Sequence, residues 1–431
     1  MKIALHTRYG DGIALAGKLK EEGFAVWLFI QAAPFRTMGD GMYEKAETLQ
    51  QWENGIDKET DIVIFDSVGN GAYADDLKAR GFAVWGAGAL QDKLEIDRIF
   101  GIKFMQACGV SVPPTWQFDN EAAAVDFLND FEGRYVYKQC AFSGSAKTHV
   151  GTDAGEMIQF IQKQKYTGKF ILQKFIAGLE LSTEVWFNAN GDPVSPSNHT
   201  IETKKFMAGD VGVNTGSMSS LQWFHNALDS KAVQQGLGRC FAALKEAGYC
   251  GLLDINAIVN EQGYYFIENT ARHGYGAVYA LLHLFKMGYG ETIIKLLKEG
   301  LTELDVERRL YGMTARLSLS PYPLESDKQT ESEVNKLFKV MTGGEEIVMP
   351  KTCRAWLLDA LMEGGRYYTA GLHGVVMELG TASATLEAGE AKIYDCIKNE
   401  ISLGDVQYRI DSFDRAKKDI PLMAALGYET F

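Results

Sequence analysis

Residues 251–276 read GLLDINAIVNEQGYYFIENTARHGYG, and the interpretation of the whole chain turns on them. Two runs rich in apolar residues, Leu252–Val259 and Tyr264–Thr270, flank Glu261-Gln262-Gly263. That is the pattern of two antiparallel strands joined by a glycine-containing turn. Side chains alternate along a strand, so Asp254 and Asn256 leave one face together, as do Glu268 and Thr270. Arg272 stands two positions further on. Antiparallel pairing can bring Asn256 beside Glu268, collecting hard oxygen ligands next to a guanidinium. Mg²⁺ bridging nucleotide phosphates needs only a few such ligands, because phosphates and water complete its shell. A plain hairpin with a polar outer face explains the stretch equally well in isolation, so the surrounding sequence decides.

The chain has 431 residues, 46% hydrophobic and 23% charged, with a net charge of −13. This length implies two to four domains and this balance a soluble globular protein. No apolar run reaches the ~20 residues of a membrane-spanning helix. The start, MKIALHTRYGDG, lacks the pattern of a signal peptide. Six cysteines lie far apart without C-x-x-C spacing, which suits free thiols in a reducing cytoplasm. No run of five or more Lys/Arg occurs, so nucleic-acid and membrane partners are not expected.

Towards the N-terminus, strand-like runs (Ile3–His6, Phe24–Ile30, Asp61–Phe65, Phe82–Trp85) alternate with helical ones, among them Ala72–Arg80. Alternation predicts a parallel sheet whose ligands sit at the carboxyl ends of its strands. Gly10-Asp11-Gly12 and Ser67–Gly71 fall there, as a candidate substrate pocket or as ordinary turns. Leu94–Ala107 reads as one helix. Arg134–Lys138 reads as a strand running into AFSGSAKTHV, where Ser143, Gly144 and Ser145 form a flexible turn with Lys138 and Lys147 at its ends. Backbone amides of such a loop can cover phosphates while the lysines neutralise them, although no Walker motif is present. Gln173 and Glu180 lie either side of the bend at Gly178; one can serve an adenine edge and the other a ribose diol. Residues 201–220, IETKKFMAGDVGVNTGSMSS, read as a long functional loop in which Lys204 and Lys205 near Asn214, Thr215, Gly216 and Ser217 offer an anion patch. Single helices are expected over Asp229–Ala247 and from about Gly276 to Gly300, and a new strand-rich region from Tyr311.

In this order the pieces resemble an ATP-grasp ligase, specifically the glycinamide ribonucleotide synthetase (phosphoribosylamine–glycine ligase) family. FILQKFIAGLELS is similar to that family's strand–hinge–glutamate element, and TKKFMAGDVGVNTGSM to its HK…D…GPNTGGM loop. YFIENTARHG is similar to its EFNxRFG segment, and SLSPYP to the YP opening its last domain. The resemblance implies a multidomain α/β and α+β protein. Its parts would be a Rossmann-like domain at 1–92, an ATP-grasp domain at 93–308 and a small mixed domain at 309–431. Within the second, 93–133 would be linker and helices, 134–187 the nucleotide-loop subdomain and 188–308 the metal and substrate subdomain.

By the same resemblance Lys138 reaches the ATP phosphates, with loop 141–147 (Ser143, Gly144, Ser145, Lys147) above them. Gln173, Lys174 and Ile176 line the adenine edge, Glu180 holds the ribose, and Lys103 is a second phosphate lysine, with Arg98 its rival. Glu268 is the central ligand for Mg²⁺ (or Mn²⁺), with Asn256, Asp254 and Thr270 competing for second place. Arg272 and Lys204 are the catalytic cations. Gly10, Asp11 and Gly12, with Asn214, Thr215, Gly216 and Ser217, contact the substrates. The implied reaction joins a small, glycine-like carboxylate to an amine through an acyl phosphate, in a monomer or homodimer. Two departures stand out: Thr270 replaces the family's metal-binding asparagine, and Gly10-Asp11-Gly12 lacks the residues of its GGREHAL turn. An aspartate there suits a ribose phosphate badly, so an amine other than phosphoribosylamine is expected. The family's own reaction in purine biosynthesis is one alternative, and an ATP-binding protein that has lost catalysis is another.

Overall fold

The computed structural model describes residues 1–140, 148–164, 166–324 and 331–428, with 331–335 as backbone only. The N-terminal region contains β1 (Lys2–Thr7), α1 (Ile13–Glu21), β2 (Ala25–Ile30), β3 (Glu44–Lys45), α2 (Leu49–Asn54), β4 (Ile62–Phe65), α3 (Gly71–Ala79) and β5 (Ala83–Trp85). Its five strands pair in parallel in the order β3-β2-β1-β4-β5. The continuous apolar runs that mark β1 and β4 are buried on both faces, as the middle of a parallel sheet requires, whereas β3 at the edge is a polar pair.

Two helices follow, α4 (Ala89–Ile96) and α5 (Arg98–Ala107). The single helix expected over Leu94–Ala107 is broken at Asp97, whose carboxylate accepts the Phe100 amide at 3.0 Å and starts a new helix. The apolar period runs straight through the break and hides it.

A four-stranded sheet, ordered β6-β9-β7-β8, comes next: β6 (Thr115–Phe118), β7 (Tyr135–Gln139), β8 (Thr148–Val150) and β9 (Phe170–Lys174). Helices α6 (Glu121–Asp130) and α7 (Ala154–Gln164) cover one of its faces. There Tyr135, Tyr137, Phe170 and Leu172 pack with Leu128 and Ile161, each large side chain contributing on the order of 1.5–3 kcal/mol. The alternate residues Lys138, Ile171 and Gln173 therefore face the other way.

They face a nine-stranded sheet built from β10 (Leu179–Phe187), β11 (Pro193–Met207), β12 (Val211–Phe224), β13 (Gly251–Asn260), β14 (Gly263–Thr270) and β15 (Tyr311–Leu319), completed by strands from the C-terminal region. Residues 201–220 are thus not a loop but the greater part of a long hairpin. Ile201 pairs with Leu221, Lys205 with Asn214 and Met207 with Val211. Its outer half is polar and glycine-rich, the composition of a loop, yet it is tied down by other segments: the Arg409 guanidinium donates to the Lys205 carbonyl at 2.9 Å.

Asp229–Ala247 is likewise not one helix but α8 (Lys231–Gln235), a 3₁₀ turn and α9 (Phe241–Glu246). Gly236 sits at the break, where a β-carbon would lie 2.7 Å from the Tyr264 hydroxyl oxygen. From Gly276 to Gly300 there are two helices, α10 (Ala277–Leu281) and α11 (Tyr289–Lys298).

The remaining elements are α12 (Glu331–Thr342), β16 (Glu346–Ile347), β17 (Arg354–Leu357), β18 (Ala360–Glu363), β19 (Arg366–Thr369), β20 (Val375–Ser383), α13 (Leu386–Glu400), β21 (Val406–Gln407) and α14 (Asp414–Ala425). Strands β16, β19 and β18 form a small sheet of their own. In the large sheet the order is β14-β13-β10-β11-β12-β15-β20-β17, with β21 beside β15. The sheet therefore continues without a break across residue 308, and it includes β10, which a subdomain ending at 187 would assign to the smaller sheet.

Candidate active site

The hairpin of β13 and β14 forms the floor of a cavity of ≈ 130 Å³. Asn256 pairs directly with Glu268, and Asp254 with Thr270, so all four side chains line it. The register then shifts: Ala257 pairs with Phe266, and Ile267 is left over as a bulge. Its freed carbonyl accepts the Lys138 ammonium at 3.1 Å, which carries a lysine of the small sheet onto the floor of the large one.

Lys204, on β11, lies 3.0 Å from Glu180 and 3.6 Å from Glu268. Burial pushes the Glu268 carboxyl up, but Lys204, Lys138 and Arg98 overcome this and hold its pKa down at about 2. Lys138 is brought down to about 8, first by burial and then by Arg98, against the pull of Glu268 and Glu180. Asp254 accepts a short hydrogen bond from Ser182, yet burial raises it to about 7. The floor thus carries one carboxylate kept ionised beside several cations.

Arg272 lines the same cavity and is fixed from behind. Its Nε donates to Glu95 at 3.1 Å and its guanidinium stacks on Tyr275 at 4.1 Å. Glu95 also accepts the Ala271 amide at 2.7 Å. The other oxygen of Glu180 faces Arg415 of α14 at 3.5 Å. Glu95 and Arg415 were not singled out from the sequence, because segments remote from the hairpin deliver them.

The other residues expected at the site divide. Gly216 lines the cavity, whereas Ser217 is turned into the interior, with its hydroxyl on the Ser219 carbonyl at 3.0 Å. Thr215 donates to the Lys204 carbonyl at 2.8 Å, and Asn214 is exposed on the outer hairpin. Gln173 is buried, its amide donating to Thr115 at 3.0 Å. Lys174 is exposed and Ile176 half-buried on the segment leading to Glu180. Lys103 lines a different, outer cavity with Phe100 and Lys169, so the cation that α5 supplies to Glu268 is Arg98. Ser143, Gly144, Ser145 and Lys147 lie outside the described residues.

Asp11 and Gly12 line a smaller cavity with Asp66, and Gly274 and Tyr275 are common to both cavities. Gly10 (φ +89°) packs against Met38 in the turn before α1.

Glu268 and Asn256 offer two facing hard oxygens, with Asp254 and Thr270 beside them. No group of three or more His, Cys, Asp or Glu suited to a metal occurs among the described residues. This donor set fits a divalent ion that takes most of its ligands from phosphate and water.

Residues 96–276 match the family model described as "Phosphoribosylglycinamide synthetase, ATP-grasp (A) domain". Over this segment the chain resembles the ATP-grasp domain of that family. It is 24% identical over 350 residues to the phosphoribosylamine–glycine ligase of Leifsonia xyli, covering 80% of this chain and 81% of that one. The crystal structure of phosphoribosylamine–glycine ligase from Thermotoga maritima superposes on it with a TM-score of 0.74 at 17% identity. That match covers 95% of this chain and 100% of the other. The biotin carboxylase domain of Hydrogenobacter thermophilus 2-oxoglutarate carboxylase, crystallised with MgADP, ADP and bicarbonate, has a TM-score of 0.66 at 14% identity. It covers 100% of this chain and 99% of that one. The mixed α/β architecture of the chain is therefore that of the Thermotoga maritima phosphoribosylamine–glycine ligase structure. Among the described residues no helix is long and apolar enough to cross a membrane.

Proposed function

We propose that this ATP-grasp ligase activates a small, glycine-like carboxylate with ATP and joins it to an amine, releasing ADP and phosphate. The observation that carries this reading is the convergence of Lys204, Lys138 and Arg98 on the ionised Glu268, with Lys204 and Arg272 lining the cavity that Glu268 floors. Bound ATP would supply an electrophilic γ-phosphorus, and a divalent ion, Mg²⁺ or Mn²⁺, would offset its charge. Glu268 and Asn256 would hold that ion, with Asp254 or Thr270 adjoining. Lys138 and Lys204 place fixed positive charge where phosphate oxygens gather. Arg272, immobilised by Glu95 and Tyr275, holds a carboxylate or acyl-phosphate group against the attacking amine. Positioning and charge compensation of this kind supply most of the rate in phosphoryl transfer.

Between the finer alternatives, the names of the relatives favour phosphoribosylamine and glycine as the substrate pair. A changed amine has one structural observation behind it, the pair of aspartates, Asp11 and Asp66, at the carboxyl ends of β1 and β4. A coupled assay of ADP release tests both. Turnover with glycine and freshly generated phosphoribosylamine supports the first, and turnover confined to other amines the second. Replacement of Glu268 by Gln should lower either rate at least about a hundredfold, the scale of losing one transition-state electrostatic contact. ADP release unaltered in that variant would remove Glu268 from the mechanism.

A further inference from the structure

The small cavity at the carboxyl ends of β1 and β4 is the place where an open parallel sheet receives a ligand. It is lined by Asp11, Gly12, Asp66, His273, Tyr275 and Tyr279, among others, and encloses ≈ 20 Å³. Room of that size holds about one water-sized group and no phosphate. Asp66 is only 9% exposed, and neither of its carboxylate oxygens has a hydrogen-bond partner of normal geometry. The hydroxyls of Thr7 and Ser67 temper its burial without relieving it, and its pKa rises to about 7, first through burial and then through Asp11. A β-carbon on Gly12 would come within 2.5 Å of Asp66 Oδ2, so this glycine keeps the carboxylate open to the cavity.

The arginines that counter the Asp11 charge are Arg272 and Arg316, and neither lines the cavity. His273 does, but burial and Arg272 bring its pKa down to about 3, and its Nε2 is paired with the Tyr289 hydroxyl at 2.7 Å. No Lys or Arg is among the described residues lining the pocket, the Tyr279 hydroxyl donates to the Asp11 carbonyl at 2.6 Å, and a buried carboxylate in that position calls for a cation. Two carboxylates fall short of a metal cage, and none was found among the described residues. An alkylammonium has the right size, charge and three donors. Because Gly274 and Tyr275 wall both cavities, a molecule anchored here can extend its other end towards Arg272.

We propose that Asp66, with Asp11, binds a non-reacting ammonium group of the amine substrate, which is therefore a diamine or similarly cationic amine rather than a sugar phosphate. This assignment rests on the ligase reading for its chemistry, but binding at the pocket can be measured apart from turnover. The test is calorimetric titration of the full chain, with Mg²⁺ and a non-hydrolysable ATP analogue. The probes are α,ω-diaminoalkanes of three to six carbons, the matching monoamines, glycine and ribose 5-phosphate. We expect at least one diamine to bind at least about tenfold more tightly than its monoamine, and Asp66→Asn to erase that difference, as loss of a charged hydrogen bond does. Circular dichroism and affinity for the ATP analogue report whether the variant is folded. Ribose 5-phosphate binding better than every diamine overturns the proposal, as does diamine selectivity that survives in Asp66→Asn. Glycine weakened by that substitution while diamines are not would reassign the pocket to the acid and overturn it too. If diamines bind through Asp66 but no acid and amine pair releases ADP, the pocket assignment stands and the ligase reading fails.

Discussion

Lys138 is buried with only 5% exposure, and its charge is held between sheets by the Ile267 carbonyl, Glu268 and Glu180. Such a lysine stays near the edge of deprotonation, and an arriving polyphosphate would restore the balance. We expect Lys138→Met to leave the fold intact, since the aliphatic stem is retained, and to weaken Mg-ATP binding about 10- to 100-fold. Equilibrium titration with a fluorescent ATP analogue checks this, and unchanged affinity would place the phosphates elsewhere. The strand positions of Lys138 and Glu268 and the Asn256–Glu268 pairing were legible in the sequence because strand periodicity and a short turn fix them locally. The choice between Lys103 and Arg98 was not. It depends on which face of α5 turns inward, and the helix break at Asp97 resets that phase.

At the scale of elements, the β13–β14 hairpin separates stability from chemistry. At its tip Asn260 accepts the Gln262 and Gly263 amides at 2.9 and 3.2 Å and donates to the Ala177 carbonyl at 2.7 Å. We expect Asn260→Ala to cost about 0.5–1.5 kcal/mol of stability, the net worth of such hydrogen bonds at a surface turn, while kcat for ADP release stays within about twofold. Urea denaturation alongside the coupled assay separates the two effects. A large fall in kcat without loss of stability would mean that the tip takes part in the reaction. The β11–β12 hairpin shows why other elements were illegible. Its outer half has the composition of a loop, and only contacts from Arg409 and Asp411, some two hundred residues away, make it a ladder. Strands β1, β2, β4 and β5 needed no such help, because continuous apolar runs identify them unaided, whereas the polar pair of β3 carries no such signal.

Across the whole molecule, titration of buried groups pulls in two directions. His199 is 1% exposed and its pKa is brought down to about 3, first by burial and then by His225. The unfolded chain takes up that proton below pH ~6.5 while the folded one does not, so His199 contributes stability at pH 7.5 that is lost as pH falls. Burial raises Asp66 and Glu184, to about 7 and 8, and these carboxyls act oppositely, favouring the folded state as pH falls towards 4. A comparison of variants isolates one contributor. Relative to His199→Gln, the native protein should lose about 1.4 kcal/mol of its advantage per pH unit between about 6.5 and 4.5. Denaturant midpoints measured across that range test it, and a pH-independent difference would show that His199 is protonated in the folded state.

The continuity of the large sheet across residue 308 bears on how the chain can be divided. Strand β12 meets β15 along Ser219–Gln222, opposite Gly312–Ala315. A chain ending at 308 would keep every residue of the family-matched segment and lose that neighbour. A row of amides and carbonyls in the middle of a buried apolar surface would become an open border, a template for a strand from another molecule. We expect that fragment to self-associate, visible by light scattering, and adding residues 309–431 as a separate polypeptide to suppress it. A monodisperse fragment would show that the border heals itself. What looks in one dimension like a catalytic module with an appendage is, in three, a single surface that has to be made whole before either half can stay soluble.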